Sequence, residues 1–107
     1  MNYPKILYKN RERYNRGKLN NFKELPQEKQ ENFILIKLFL ENYFKSKLDC
    51  YIWGSFNHGY WDEESDYDII IYRTCDCIEL NAIISKELHL KININCTDNK
   101  IGVILIP

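Results

Sequence analysis

From Leu88 to Cys96 apolar and polar residues alternate without a break, Leu88, Leu90, Ile92 and Ile94 against His89, Lys91, Asn93 and Asn95. Successive side chains of an extended chain point to opposite faces, so the pattern predicts a strand with one face in a core and the other polar. Such a strand needs partners. Cys50 to Trp53 reads as a short buried strand stopped by Gly54, and Tyr67 to Tyr72 as another, entered from the polar loop Asp62 to Ser65. Ile101 to Ile106 reads as a last strand, joined by a turn over Thr97 to Lys100 into a hairpin with the alternating segment. Helical spacing of Phe33, Ile36, Leu40 and Tyr43/Phe44 predicts a helix over Glu28 to Lys45 after the start signal Pro26, and Leu80, Ile83, Ile84 and Leu88 predict a second over Ile78 to Leu88. This order predicts an α+β (α/β) domain, a small mixed β-sheet flanked by helices.

At 107 residues there is room for one domain, and 45% hydrophobic residues with 14% aromatics suffice for a sizeable core. The apolar stretches Phe33 to Leu40 and Ile101 to Ile106 are interrupted or too short for a bilayer, and the Lys- and Asn-rich start lacks a secretory apolar region. The expectation is a cytoplasmic protein without a membrane partner.

Charge divides the chain further. The net charge is zero, but residues 1–26 carry seven Lys/Arg against two Glu, and residues 27–107 eight against thirteen. The expected organisation is a basic N-terminal arm, 1–26, before an acidic body, 27–107. Tyr3, Tyr8 and Tyr14 interleave with the cations as base-stacking platforms would, which suits nucleic acid or an acidic partner; a solvated or body-docking extension is the other reading. Of the four cysteines, Cys75 and Cys77 form a Cys-x-Cys, but no Cys-x2-Cys occurs, so a zinc site would need unusual spacing. Cys50 and Cys96 lie in strand patterns, where thiols behave as small hydrophobes, and reduced cysteines are expected.

The chemistry concentrates in Trp53 to Ile71, WGSFNHGYWDEESDYDIII. Asp66 and Asp68 stand two apart at a strand entry, so both side chains aim to one side, within reach of one hard cation. Gly54 ends the preceding strand, and Ser55 opens a turn or helix whose amides and hydroxyl would hold phosphate oxygens beside that cation.

Gly54-Ser55, ten intervening residues and Asp66-Tyr67-Asp68 resemble the Gly-Ser-x10-Asp-x-Asp signature of the minimal nucleotidyltransferases of the polymerase-beta superfamily. Gly59 falls where that family has a glycine after the first helical turn, Ser65 precedes the first aspartate as in its Ser-Asp-x-Asp, and Ile69 to Ile71 continue the strand. The likeness covers Trp53 to Tyr72, with a compatible element order from Glu28 to Ile106; the basic arm lies outside it. The resemblance implies a nucleotidyltransferase-like fold in which Gly54, Ser55 and Ser65 contact a nucleoside triphosphate. It implies that Asp66 and Asp68 hold Mg2+ or Mn2+, and that a nucleoside monophosphate such as AMP passes to a protein or small-molecule hydroxyl. A helical partner protein, as in toxin-antitoxin modules, is also implied. The family's third carboxylate, on the neighbouring strand, falls here on Asn93, with Asn95 beyond it, and an amide cannot act as a base. Asn57 and His58 stand where members often carry a small residue and an arginine; for His58 a phosphate contact and a plain loop position are the two readings. Two functions are therefore expected from the sequence: a working nucleotidyltransferase, or a degenerate module of that fold kept for binding nucleotide, a partner or nucleic acid. A carboxylate from Glu87 or Asp98 at the site would favour the first.

Overall fold

A computed structural model of the protein describes residues 3–97 and 104–107. The N-terminal segment forms a hairpin of β1 (Lys5–Tyr8) and β2 (Arg11–Tyr14). Lys9 and Asn10 turn it, with φ of 50° and 64°, the left-handed conformation that two-residue hairpin loops require. A 3-10 turn at Phe22–Glu24 follows, held by a capping box between Asn21 and Glu24. Helix α1 (Gln27–Phe44) starts after Pro26, buries Phe33, Ile36 and Leu40, and ends on Lys45 in the left-handed region. Next come β3 (Cys50–Ile52), the short helix α2 (Gly54–His58), β4 (Tyr67–Ile71), α3 (Cys77–Leu88), β5 (Ile92–Cys96) and β6 (Ile104–Leu105).

The main sheet has the order β5-β4-β3-β6, with β4 parallel to β5 and the other two pairs antiparallel. A parallel pair needs a crossover, and α3 supplies it. Its N-terminus is capped by the Asp76 side chain, which accepts from the Glu79 amide. Asn81 of α3 reaches the outer edge of β5, where its Nδ2 donates to the Ile94 carbonyl at 3.2 Å. Part of that edge is thereby closed to further pairing. Among the described residues no helix is long and apolar enough to cross a membrane.

Two expectations about the last strands are corrected. The alternating segment is extended only from Ile92: Leu88 ends α3 and His89 reverses the chain with φ 54°. Leu88 and Leu90 still pack on the core, because a helix end and the chain leaving it can bury alternate residues as a strand does. Nor do β5 and β6 form a hairpin, since β6 lies on the far side of the sheet, paired with β3 through Tyr51↔Leu105 and Ile52↔Ile104. The expected turn over Thr97 to Lys100 lies largely outside the described residues, as do residues 101–103 of the expected strand.

The basic segment packs on the body. Leu19, Phe22 and Leu25 belong to the same core as Phe33, Ile36 and Ile69. The Arg16 and Leu19 amides donate to the carbonyls of Gly59 and Asn57, each at 3.1 Å. At Gly59 (φ 85°) a Cβ would overlap the Gly17 backbone, so the two chain segments meet through glycine. Arg11 donates to both carboxylate oxygens of Asp62 at 2.9 Å. Arg13, only 5% exposed, reaches Ser65 Oγ at 3.1 Å, and Arg16 donates to the Trp61 carbonyl at 2.8 Å while its guanidinium covers the Trp61 ring. Three arginines of the segment are thus committed to the body, and Tyr8 packs against Tyr60 and under Arg13. The cysteines also differ from expectation: Cys75 and Cys96 are joined in a disulfide, while Cys50 and Cys77 are free.

Candidate functional site

The site is built where β3 hands over to α2 beside the start of β4. The Trp53 amide donates to the Asp68 carbonyl at 2.9 Å, extending the β3–β4 pairing by one residue and setting Gly54 directly against the Asp68 side chain. Gly54 has φ 67°, and a Cβ there would lie 3.0 Å from Asp68 Cγ and overlap Oδ2. Only glycine meets both conditions. An aromatic stack holds this corner: Phe56 of α2 lies between Trp61 and Tyr67, with ring centroids 5.5 and 5.2 Å away, and Phe33 of α1 meets Phe56 edge-on.

Asp66 and Asp68 line one cavity of about 250 Å³ together with Ser55, Lys9, Arg11 and Lys91. Asp66 is exposed, whereas Asp68 is only 8% exposed. Burial pushes the Asp68 carboxyl above the usual carboxylate range; the Asn93 hydrogen bond opposes this and the nearby charge of Asp66 adds to it. Asn93 is the register partner of Asp68 across the parallel β4–β5 pair, and its Nδ2 donates to Asp68 Oδ1 at 3.2 Å. The position facing Asp68 is therefore held by an amide. Glu87, exposed on α3, does not line the cavity, and Asp98 lies outside the described residues.

Ser65 lines the cavity as well, but its hydroxyl is occupied within the protein. It accepts from Arg13 and from the Asp62 amide, at 3.1 and 2.8 Å, and donates to Asp62 Oδ1 at 3.1 Å. Ser65 thus ties the loop before β4 to the hairpin. Asn57 is buried and His58 half-buried, the latter stacked on Tyr60 at 5.8 Å; neither lines the cavity. Asp62, gripped by Arg11, is held down to about 2.

The sequence pattern did not point to the cations. Lys9, Arg11 and Arg13 come from a segment outside the motif, and Lys91 from the turn before β5. The positive charge of residues 1–26 was the available signal, but its direction depends on a hairpin turn at Lys9-Asn10 that carries no glycine.

Fold and site together define a mixed α+β domain with, among the described residues, a small mixed sheet, three α-helices and a carboxylate-lined cavity at the entry of a central strand. No family model matches the chain, and neither a curated protein nor a solved structure matches it.

Proposed function

We propose that this protein is a nucleotidyltransferase-type domain that binds a nucleoside triphosphate with Mg2+ or Mn2+ and passes a nucleoside monophosphate, in the first instance AMP, to a protein or small-molecule hydroxyl. The observation that carries the reading is the seating of Gly54 against Asp68, which brings Ser55 into one cavity with both aspartates. The donor set fits a hard divalent cation: two carboxylates two residues apart, with the Asn93 amide beside them. Asp66 and Asp68 would hold the ion, which when bound neutralises phosphate charge. Lys9 and Lys91 line the same cavity and suit the remaining phosphate oxygens. A volume of about 250 Å³ is at the small end for ligand sites, so it suits a phosphate chain, with sugar and base over the rim.

In the transfer, the acceptor oxygen bonds to the α-phosphorus, the bond from that phosphorus to the bridging oxygen breaks, and pyrophosphate leaves. The hydroxyl proton needs an acceptor, and Asn93 cannot be one. This favours a second reading, a degenerate module that binds Mg-nucleotide without transfer. Nucleic-acid binding through residues 1–26 has less support, because Arg11, Arg13 and Arg16 are engaged by the body. A helical partner has some: Leu35 and Leu38 of α1 are exposed one turn apart.

Transfer of label from an α-labelled triphosphate separates the readings. Slow metal-dependent labelling by the wild type, raised about tenfold or more by Asn93→Asp through restored charge and proton acceptance, supports the enzyme. Metal-dependent binding with no labelling by either protein supports the degenerate module. Labelling that survives the Asp66→Asn, Asp68→Asn double substitution overturns both site assignments.

A further inference from the structure

A second constellation lies at the opposite end of β4, away from the carboxylates. Cys75 sits in the loop after β4, Cys77 is the first residue of α3, and Cys96 is the last of β5, paired in register with Ile71. Their three sulfurs lie within 4.8 Å of one another, all half-buried. Cys77 Sγ is 3.7 Å from Cys75 Sγ and accepts a hydrogen bond from the Cys96 amide at 3.2 Å. Cys50 is remote in character: it is fully buried in β3, and burial pushes its thiol up to about 12.

We propose that, in the reduced protein, Cys75, Cys77 and Cys96 form a binding site for one thiophilic divalent cation of the Zn2+ class. Thiolates bind zinc at about 2.3 Å, which in a tetrahedron sets sulfurs roughly 3.8 Å apart. Cys77 and Cys75 already stand at that spacing. The sulfurs come from the loop after β4, the start of α3 and the end of β5, so the sheet edge and the helix start fix the positions of Cys96 and Cys77. The Cys96 amide holds the Cys77 sulfur as outer hydrogen bonds hold metal ligands. The sequence rule that looks for Cys-x2-Cys misses this set, because the third ligand arrives through the β4–β5 pairing. Three protein ligands leave a fourth position for water or an exchangeable group.

The Cys75–Cys96 disulfide is the metal-free oxidised form of the site. Two equivalents of a small thiol reduce it, giving two cysteine thiols and one small-molecule disulfide. Metal then displaces the protons of the three thiols to solvent, so oxidation and metal binding compete for the same sulfurs.

The test is titration of the full chain, reduced and unreduced, with Zn2+ followed by calorimetry and with Co2+ followed by its thiolate-to-metal absorption. The expected result is one thiolate-bound ion per reduced chain, with its absorption band, no thiolate-bound ion in the unreduced chain, and Cys50→Ser binding like the wild type. Cys77→Ser leaves the disulfide partners intact and should weaken Zn2+ binding by more than the roughly 10–100-fold that loss of a mere supporting partner costs. Circular dichroism checks that this variant is folded. Absence of stoichiometric binding by the reduced wild type, or wild-type affinity in folded Cys77→Ser, overturns the proposal. Neither result bears on the carboxylate site.

Discussion

Asp68 carries opposing demands. Its carboxylate is buried against Gly54 with one hydrogen bond from an amide and a like charge nearby. Because its folded pKa lies above the ordinary value of 3.8, the folded chain holds more protons there than the unfolded chain. Stability from this group is therefore full below that value and is lost as pH rises through the raised one. At neutral pH the charged side chain is a destabilising element that a cation would relieve. Asp68→Asn keeps the shape and removes the charge, so without metal its melting temperature should exceed the wild type's at pH 7 by a few degrees, about what a fraction of 1 kcal/mol gives a domain of this size. With Mg2+ and nucleotide the order should reverse, because only the wild type gains from binding. Thermal melts with and without both ligands check this. A variant less stable than the wild type in the metal-free state would mean that Asp68 is a structural group.

Among the elements, the N-terminal hairpin and the segment after it decide whether the site has walls. Leu19, Phe22 and Leu25 are each less than 9% exposed, and burying such side chains is worth about 1.5–3 kcal/mol apiece. Their sum approaches the whole stability of a domain, about 5–15 kcal/mol. A chain beginning at residue 26 should therefore be unfolded or insoluble by circular dichroism; a folded, soluble truncation would contradict the packing described. The charged contacts add a pH dependence of the opposite sign to that of Asp68. Arg11 holds Asp62 at about 2, below its ordinary 3.8, so the unfolded chain binds more protons, and the stabilisation present above about pH 4 is lost toward pH 2. Because this pair is about one-third exposed and screened by solvent, the effect is modest. Melts between pH 2 and 6 should fall more steeply in the wild type than in Asp62→Asn, and parallel curves would remove the contact from the account. This hairpin was also the element least legible in the sequence. Its strands read KILY and RERY, the second with three charged residues in a row, and the turn carries no glycine. The charge signal of an arm therefore overrode the weak pattern of a strand. Helix α1, whose apolar residues fall at the helical period, and strands β3 and β4, short apolar runs bounded by glycine or a polar loop, were legible to within a residue or two.

On the scale of the whole molecule, the sheet assembles two chemistries at the two ends of one strand, carboxylates where β4 begins and sulfurs where it ends. At the carboxylate end, the spacing of two predicted that Asp66 and Asp68 face one side, and both line one cavity; the roles assigned to them came from the family resemblance. The alternation around Ile92 and Ile94 predicted only that Asn93 lies on a polar face; its place beside Asp68 was what the family resemblance implied, and the parallel register pairs the two residues. What spacing could not give was strand order: β6 joins β3 rather than β5, a choice made by packing between distant segments. Nor could it give the sulfur cluster, which exists only once β5 lies beside β4. The central claim is that Asp66 and Asp68 hold a metal ion for a nucleoside triphosphate, and titration calorimetry with ATP tests it most directly. The wild type should bind with Mg2+ or Mn2+ and not without, and the Asp66→Asn, Asp68→Asn double variant should show no binding under either condition. Equal binding by the double variant, or wild-type binding that is indifferent to the metal, would contradict it.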